Sequence, residues 1–471
     1  MDKSYSISSW LFIRAIALIY FAAFFSLSGQ VAGLVGIDGI LPAQAFLEHV
    51  SAQLGDIAWL RKPTIFWLDT SNAALVFSCY AGMFFSVLLL LGKLPIISSI
   101  ILFILYLSLF HVGQVFLSFQ WDFLLLEAGF LTILLIWNGN RIVIFLFHWL
   151  LFRLRFLSGV SKLEDPSWLN LTTLNYYFET QPLPHIGAWY FHQLPDWLLK
   201  AGTGFTLFVE LLVPFFIFLP RRFRLFAAFV TIFLQLLIIA SSNHNWINLL
   251  TIALCLFLLD DRFMQSLRGL IAENTVTVKN SATIKNRWAE LVSGFMAAII
   301  ISTSVAVTAR VMVNLNVPEA FHWIRAWGLG NAYHVFPTMQ IERHELSIEG
   351  SYDGKEWKKY LFKYKPNHPG EMPPFIIPHQ PRLDWMIWFM PPQIPDMKFW
   401  FDSFIYGLVR NEPDITRLLK YNPFAGQQAP RYVRVLTYRY KFTSFDEREK
   451  TGDFWKTEYL GEFPFVPLRR P

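Results

Sequence analysis

Two carboxylates inside long apolar stretches are the first residues of this chain that could do chemistry. Glu127 lies in QWDFLLLEAGF at 120–130, and Glu210 lies mid-stretch in TGFTLFVELLVPFFIFLP, where Pro214 would loosen a helix and free a carbonyl. Charge in lipid is costly, so such residues usually face a cavity or a partner. The pair could act as acid and base or bind a cation, or it could hydrogen-bond neighbouring helices and fix their packing. Both interpretations stay open.

Other polar residues in the apolar part of the chain extend this set. If a helix begins near Gln120, the spacing of seven places Gln120 and Glu127 on one face, and His244 and Asn248 share a face farther along. Arg14 is one turn into its stretch and can reach the headgroups. The acid–base candidates are Glu127, Glu210, His192 and His244, and the polar candidates of the bundle are Arg14, Gln120, Asp122 and Asn248.

Standard catalytic and metal-binding motifs are absent from the sequence. There is no GxSxG, P-loop, HExxH or GxGxxG pattern, and His344-Glu345 has Ile348 where a zinc helix needs its second histidine. Cys79 and Cys255 both lie in apolar stretches, so they form neither a disulfide framework nor a zinc set. We expect no metal and no cofactor.

One short motif has a catalytic counterpart. His379 and Asp384 fit the HxxxxD spacing of glycerolipid acyltransferases, in which a carboxylate orients a histidine that deprotonates an acceptor hydroxyl. Pro381 breaks the segment between them. The alternative is that Arg382 and Asp384 form an ion pair that holds a proline-shaped loop in place.

The elements that position these residues are membrane helices. The chain has 471 residues, 54% of them hydrophobic, with 47 Phe and 18 Trp, a composition typical of membrane proteins. Its net charge of +6 fits basic cytoplasmic loops, and we expect no nucleic-acid partner. A hydrocarbon core of about 30 Å needs roughly 20 apolar residues as a helix. The candidate spans are 10–28, 73–91, 95–111, 121–137, 142–157, 203–219, 223–241, 246–260 and 289–312.

The distribution of basic residues predicts an orientation. An N-terminus in the cytoplasm keeps Lys93, Arg141 and the three arginines of the 220–224 turn inside, as the positive-inside rule requires. This needs the fifth stretch to cross, although Arg153 and Arg155 interrupt its end. The first stretch is expected to be a retained span, because it lacks a signal-peptide cleavage site. Nine spans place residues 313–471 outside, in the periplasm or the ER lumen.

The predicted fold is a polytopic α-helical membrane bundle of about nine spans followed by a mainly β, sandwich-like extracytoplasmic domain. The bundle covers 1–312, with external loops at 29–72 and 158–202, and the outer domain covers 313–471. The second loop is rich in aromatics and would either lie in the membrane interface or fold against the outer domain. Alternation predicts a hairpin within 338–365 and a strand at 432–442, with a helical stretch at 396–420.

A series of ordered motifs resembles the lipase maturation factor family, ER membrane proteins with bacterial relatives. The motifs run through most of the chain: LFIRAIALIYFAAFFSL (11–27), GIDGILPA (36–43), FLSFQWDFLLLEAGF (116–130), YYFETQPLPHIGAWYFHQLP (176–195), FVELLVPFFIFLPRR (208–222), NHNWINLLTIALCLFLLDD (243–261), IEGSYDGKEWKKYLFKYKP (348–366), PHQPRLDWMIWF (378–389) and YNPFAGQQAPRYVRVLTYRYKFT (421–443).

The resemblance implies a non-catalytic role in which secreted lipases are helped to fold and to assemble into active dimers. Exported client proteins, lipases among them, would bind the outer domain, membrane lipids would surround the bundle, and self-association is left open. Apolar patches of incompletely folded clients would meet aromatic side chains, which are equally suited to a core. The candidate client-contact residues are His379, Arg382, Asp384, Trp385, Trp388 and Phe389.

A more distant resemblance of the bundle to the membrane part of vitamin K-dependent γ-carboxylase implies a second class of function. An intramembrane enzyme would act on a lipid, a quinone or an exported polypeptide, with Glu127, Glu210, His192 and His244 as its acid–base groups. A transporter would need inverted repeats, and the sequence has no convincing internal repeat.

Overall fold

The computed structural model describes residues 5–271, 287–391 and 398–464. It shows a helical bundle followed by a C-terminal region, the described residues after the last long helix, that contains a small sheet. The helices of the bundle part are α1 (Ser6–Ser28), α2 (Val31–Val35), α3 (Ala43–Leu54), α4 (Ala58–Arg61), α5 (Asn72–Leu90), α6 (Pro95–Val112), α7 (Gln120–Asn138), α8 (Arg141–Lys162), α9 (Pro166–Leu169), α10 (Leu174–Thr180), α11 (Ile186–His192), α12 (Asp196–Leu211), α13 (Arg221–Ser241), α14 (Ile247–Cys255), α15 (Asp261–Ile271) and α16 (Arg287–Val313).

Eight helices among the described residues are long and apolar enough to cross a membrane. They are α1, α5, α6, α7, α8, α12 with its continuation to Phe218, α13 and α16. The predicted helical membrane bundle is thereby confirmed, and the chain is an integral membrane protein. The fifth predicted stretch is among them as Arg141–Lys162, with Arg153 and Arg155 inside the helix.

Local sequence explains several helix boundaries. The side chain of Asn140 accepts a hydrogen bond from the Val143 amide at 3.0 Å and so caps α8. Pro95 lies in the first turn of α6, where no intrahelical donor is required. The helix that begins at Asp196 tightens to 3-10 geometry at Val213–Phe218, because Pro214 has no amide hydrogen for the α-helical pattern.

The eighth predicted stretch, 246–260, is the one that does not form a long helix. Its helical part is Ile247–Leu258, which spans only about 18 Å at 1.5 Å per residue. The non-helical residues 242–246 precede it and are buried. Asp260 Oδ2 then lies 2.6 Å from Arg221 Nε, at the start of α13. The backbone of 242–260 therefore runs antiparallel to α13, from its end back to its start, and part of this segment is not helical.

The two ends of the bundle are distinct. At the end called here the N-terminal end, Asp261 accepts the backbone amides of Ser6 and Ile7, both at 2.9 Å. At the opposite, distal end, Ser26 Oγ lies 2.9 Å from His379 Nδ1 of the C-terminal region. Ser6 and Ser26 belong to the same helix, α1, so the C-terminal region packs on the end far from the N-terminus.

The C-terminal region combines short helices with one antiparallel sheet in the order β2-β1-β3-β4. Its elements are α17 (Glu319–Ala326), β1 (Arg343–Ser351), β2 (Lys358–Lys359), α18 (Arg382–Ile387), α19 (Lys398–Val409), α20 (Pro413–Thr416), β3 (Tyr432–Phe442), α21 (Phe445–Thr451) and β4 (Trp455–Glu462). The predicted hairpin is present as β1 and β2, and β3 has the predicted bounds. The described residues hold one sheet, so the expected sandwich has no second sheet within them.

The aromatic loop at 158–202 folds against this sheet. Tyr177 and Trp189 belong to one apolar cluster with Tyr440, Phe442 and Trp455 of β3 and β4. The rings of Phe442 and Trp455 stack with centroids 4.3 Å apart. Of the two alternatives for this loop, packing on the C-terminal region is the one observed.

Candidate functional site

The first predicted carboxylate, Glu127 on α7, is neutralised by Arg153 on α8 in a buried ion pair. The hydroxyl of Tyr333 donates to Glu127 Oε2 at 2.8 Å, and Arg153 Nη1 donates to the carbonyl of Asn331 at 2.8 Å. Tyr333 and Asn331 come from the C-terminal region, so this pair fixes that region to two membrane helices. Every charge in the cluster has a partner of opposite sign.

Asp122, on the first turn of α7, binds Arg382 of α18 through two hydrogen bonds of 2.7 and 2.8 Å. Tyr106 donates to the same carboxylate at 2.5 Å, and Arg382 also donates to the carbonyl of Phe116 at 2.9 Å. The exposed fractions of the two charged side chains are 0% and 2%. Burial alone would lower the pKa of Arg382, but the charge and hydrogen bonds of Asp122 raise it.

Glu210 on α12 lies between two cations of α8. Arg155 Nη2 is 2.7 Å from Glu210 Oε1, and Lys162 Nζ is 2.8 Å from Glu210 Oε2. Lys162 Nζ also donates to the carbonyl of Val335 at 2.7 Å. Helices α8 and α12 approach closely here, since a Cβ on Gly159 would lie 2.9 Å from the Cβ of Glu210. This cluster has one cation more than it has carboxylates.

A fourth charged cluster joins the sheet to the aromatic loop at 158–202. Arg343 on β1 pairs with Glu345, and it donates to the carbonyls of Glu179 and Pro182 at 3.0 and 3.1 Å. Lys365 Nζ lies 2.8 Å from the other oxygen of Glu345. Burial would raise the pKa of Glu345, but Lys365 and Arg343 together hold it below its ordinary value.

A cavity of about 450 Å³ lies beside the Glu210 cluster, in the distal half of the bundle. Its walls come from α8, α12, α13 and α14, with the aromatic loop above. Most lining side chains are apolar. The polar lining includes Arg155, Lys162, Glu210, Gln235, His244 and Asn248, together with the hydroxyls of Thr206, Ser241 and Thr251. Two of the four acid–base candidates, Glu210 and His244, thus line one cavity, while Glu127 and His192 do not line it.

The remaining polar candidates have separate places. His244 stacks on Phe336 with centroids 4.6 Å apart, and His192 Nε2 lies 3.7 Å from Glu179 Oε2. Burial lowers the pKa of His192, and the Glu179 carboxylate opposes that shift. Gln120 accepts the amide of His334 at 3.4 Å. The guanidinium of Arg14 lies over the ring of Trp10, 4.5 Å from its centroid.

The HxxxxD residues do not form a catalytic pair. His379 Nδ1 contacts Ser26, whereas Asp384 Oδ1 accepts the amides of Tyr364 and Lys365 at 2.7 and 3.1 Å. Burial lowers the pKa of His379 to about 4 and raises that of Asp384 to about 6. The expected ion pair between Arg382 and Asp384 is also wrong, because Asp122 is the partner of Arg382.

The candidate client-contact residues lie mainly in the interior. Arg382, Asp384 and Trp385 are all at most 2% exposed, so no client can reach them in this structure. Trp388 is half-buried, and its indole nitrogen donates to the carbonyl of Thr180 at 2.7 Å. Phe389 is half-buried as well and stacks on Phe119 with centroids 6.0 Å apart.

Sequence reasoning missed the basic partners of the buried carboxylates. Arg153 and Arg155 are predicted as interruptions of a span, and Lys162 and Arg343 are not singled out at all. One sequence feature could have identified the two arginines as partners. The predicted span 142–157 contains two cations, and the other predicted spans contain the two carboxylates Glu127 and Glu210. Which cation meets which carboxylate depends on helix packing.

Comparisons with known proteins match the whole organisation. Residues 7–266 match the family model described as the lipase maturation factor transmembrane domain, and 329–466 match the model of the lipase maturation factor C-terminal domain. "Lipase maturation factor 2" of Xenopus laevis is 33% identical, covering 98% of this chain and 82% of that protein. "Lipase maturation factor 1" of Mus musculus is 33% identical over 97% of this chain and 86% of that protein. No solved structure matches the chain.

Proposed function

Since this chain belongs to the lipase maturation factor family, we propose that it is a membrane-anchored, chaperone-like factor that helps exported lipases to fold and assemble. The observation that carries the proposal is the match of both family models, which cover residues 7–266 of the bundle and 329–466 of the C-terminal region. The intramembrane-enzyme alternative has no comparable support. Glu127 is already paired with Arg153 and Glu210 with Arg155 and Lys162, so neither is a free base.

The proposed role needs a fixed platform for the client, and the ion pairs supply one. Asp122 and Glu127 contact Arg382 and Tyr333 of the C-terminal region directly, and Glu210 contacts Lys162, which donates to the carbonyl of Val335 in that region. Charge-assisted hydrogen bonds of this kind are about twice as strong as neutral ones. The C-terminal region is therefore held rigidly against the distal end of the bundle.

The platform would lie outside the cytoplasm. Basic residues collect at the N-terminal end, where Arg141 and Arg224 line one small cavity with Asp260, and Arg221 pairs with Asp260. By the positive-inside rule this end is cytoplasmic. The distal end and the C-terminal region then face the periplasm or the ER lumen, where exported lipases fold.

A groove on the C-terminal region is suited to contact an incompletely folded client. The α19 groove, of about 510 Å³, lies between the 37–42 segment and α19, with buried Ile40 and Ile415 in its lining. Ile37 and Tyr406 line it too and are 54% and 63% exposed. The rest of the lining is largely polar and includes Asp38, Asp402, Arg410 and Glu412. Exposed apolar side chains at a groove are typical of protein-binding sites. We therefore propose this groove, instead of the buried 378–389 segment, as the client contact.

The walls of the α19 groove are held in place by Asn72. Its amide nitrogen donates to Asp414 at 2.9 Å, and its amide oxygen accepts the backbone amide of Ile37 at 2.9 Å. A preformed groove loses less conformational entropy when a client binds. Arg410 lies over the Tyr406 ring, 5.7 Å from its centroid, and restricts that side chain further.

The experiment co-expresses the full chain with a secreted lipase in cells that lack their own lipase maturation factors. Lipase activity per mass of secreted enzyme is expected to rise at least fivefold over cells without the chain. Tyr406→Ala should lose most of that gain. Tyr459→Ala, at an equally exposed tyrosine of β4 that does not line the groove, is the matched control.

Two results would count against the proposal separately. If wild-type chain leaves the specific activity of the secreted lipase unchanged, the maturation role fails for that client class. If wild type works and Tyr406→Ala works equally well at the same expression level, the role stands and the α19 groove is not the contact.

A further inference from the structure

The cavity beside Glu210 opens towards the lipid. Among its lining residues, Ala201 of α12 is exposed, Leu198 is 37% exposed, and Leu237 and Ile238 of α13 are partly exposed. Both helices are among those long and apolar enough to cross the membrane. The opening therefore lies between α12 and α13, on the outer surface of the bundle, where a molecule dissolved in the bilayer can enter sideways.

The apolar walls lead inward to a cationic end. Arg155 and Lys162 are two formal cations beside one carboxylate, Glu210, so the formal net charge of the cluster is +1 when both cations are protonated. A net charge in a low-dielectric interior is unfavourable unless a counter-charge approaches. No further carboxylate lines this cavity among the described residues.

Three buried hydrogen-bond donors in the lining of the same cavity have no partners. Gln235 and Asn248 line the cavity and are only 1% and 3% exposed, yet neither amide nitrogen makes a hydrogen bond. The Nε of Arg155 also has no acceptor. The great majority of buried polar atoms in proteins have a hydrogen-bond partner, and each exception needs an explanation. A bound group rich in acceptor oxygens would explain all three.

We propose that this cavity binds a single-chain anionic amphiphile, either a long-chain fatty acid or a lysophospholipid. The acyl chain lies between α12 and α13, and the carboxylate or phosphate lies against Arg155 and Lys162, within reach of Gln235 and Asn248. The volume of about 450 Å³ is in the lower part of the range of about 300–1,000 Å³ for ligand sites, which suits one chain and not two. This inference does not depend on the proposed lipase role.

The test uses the full chain in phosphatidylcholine nanodiscs and a palmitate analogue that carries a diazirine. After photolysis, labelled peptides are mapped by mass spectrometry. Labels are expected on α12 and α13 around Ala201 and Leu237. Excess oleate or oleoyl-lysophosphatidate should abolish this labelling. The competitor that acts at the lower concentration identifies the preferred ligand, a fatty acid or a lysophospholipid. Oleyl alcohol should compete at least tenfold less well, and inorganic phosphate should not compete.

Two variants separate the polar end from the opening. Lys162→Met removes the excess cation and should reduce labelling at these sites at least fivefold. Ala201→Trp fills the opening at an exposed position, where a larger side chain has room and folding is preserved, and should reduce labelling equally. Leu212→Trp, at an exposed position that does not line the cavity, is the control and should label like wild type.

The proposal is overturned by any of three results. Oleyl alcohol competing as well as oleate would show that the cationic end plays no part. Ala201→Trp labelling like wild type would show that the probe binds elsewhere. Labelling that no competitor reduces would show only general contact with bilayer lipid.

Discussion

Asp122 and Glu210 are both carboxylates buried in the helical bundle, yet their surroundings differ in charge and in space. Asp122 meets one cation, Arg382, through two hydrogen bonds, and the pair is neutral. Glu210 meets two cations, Arg155 and Lys162, and lines a cavity with unpartnered amides. Glu127 with Arg153 is also a neutral pair, although the Nε of Arg153 has no acceptor.

The difference separates a structural contact between two elements from a binding site for another molecule. A neutral, fully hydrogen-bonded pair needs nothing more, and its role is to hold α18 on α7. A cluster with excess charge, free donors and adjacent space is incomplete without another molecule. Buried charge alone therefore does not identify a functional site, whereas the balance of charges and donors does.

The largest effect is expected from breaking the neutral pair. Arg382→Met leaves Asp122 buried without a counter-charge and should lower the free energy of unfolding by about 4–5 kcal/mol, measured by denaturant titration in mixed micelles. The double variant Asp122→Leu/Arg382→Met removes both charges and should regain most of that loss. A double variant as unstable as the single one would contradict the charge explanation.

A smaller loss is expected at the second carboxylate. Glu210→Gln leaves two cations beside the cavity and should cost about 3 kcal/mol, because the open cavity admits water or a counter-ion. Oleate should restore stability in this variant more than in wild type, while Arg382→Met should gain nothing from oleate. If oleate stabilised the two variants equally, the distinction between a structural contact and a binding site would be lost.

The close approach of α8 and α12 can be tested at Gly159. Gly159→Ala would place a Cβ 2.9 Å from Glu210 Cβ, and overpacking of this kind costs about 1–3 kcal/mol. Gly294→Ala on α16 is the matched control, since nothing lies within 4 Å of its added Cβ. It should be neutral or stabilising, because alanine is the better helix former. Thermal unfolding of the two variants gives the comparison.

The smallest effect concerns pH at the contact between α1 and the C-terminal region. His379 has a pKa near 6.5 when unfolded and about 4 when folded, so the unfolded chain binds its proton more readily. Stability should be complete above pH 6.5 and fall as the pH drops towards 4. Between pH 7 and pH 5, the unfolding temperature should fall less in His379→Gln than in wild type. In His49→Gln, at an exposed position, it should fall as much as in wild type.

Hydropathy and alternation predicted the elements well because both depend on neighbouring residues. The first span, predicted at 10–28, is Ser6–Ser28, and the strand at 432–442 has the predicted bounds. The stretch 246–260 is predicted as a span but is helical only over Ile247–Leu258. Hydropathy reports that the stretch is apolar and does not report how much of it is helical. Local pattern gives composition and period, not the path of the backbone.

Partners across the chain could not be predicted in this way. The cost of charge in lipid drew attention to Glu127 and Glu210, which both lie in buried ion pairs. Arg382 was assigned to Asp384, two residues away, but its partner is Asp122, separated by 260 residues. Lys162 and Gln235 gave no sign of a shared cavity in the sequence. Their convergence follows from how α8, α12 and α13 pack.

The long separation of Asp122 and Arg382 has a consequence for how the protein is made. Helix α7 enters the membrane with an acidic side chain whose partner is encoded 260 residues later. At a synthesis rate of about 5–20 residues per second, that carboxylate waits roughly 13–50 s for its arginine. The contact between α7 and the C-terminal region is thus completed only after residue 382 has been translated.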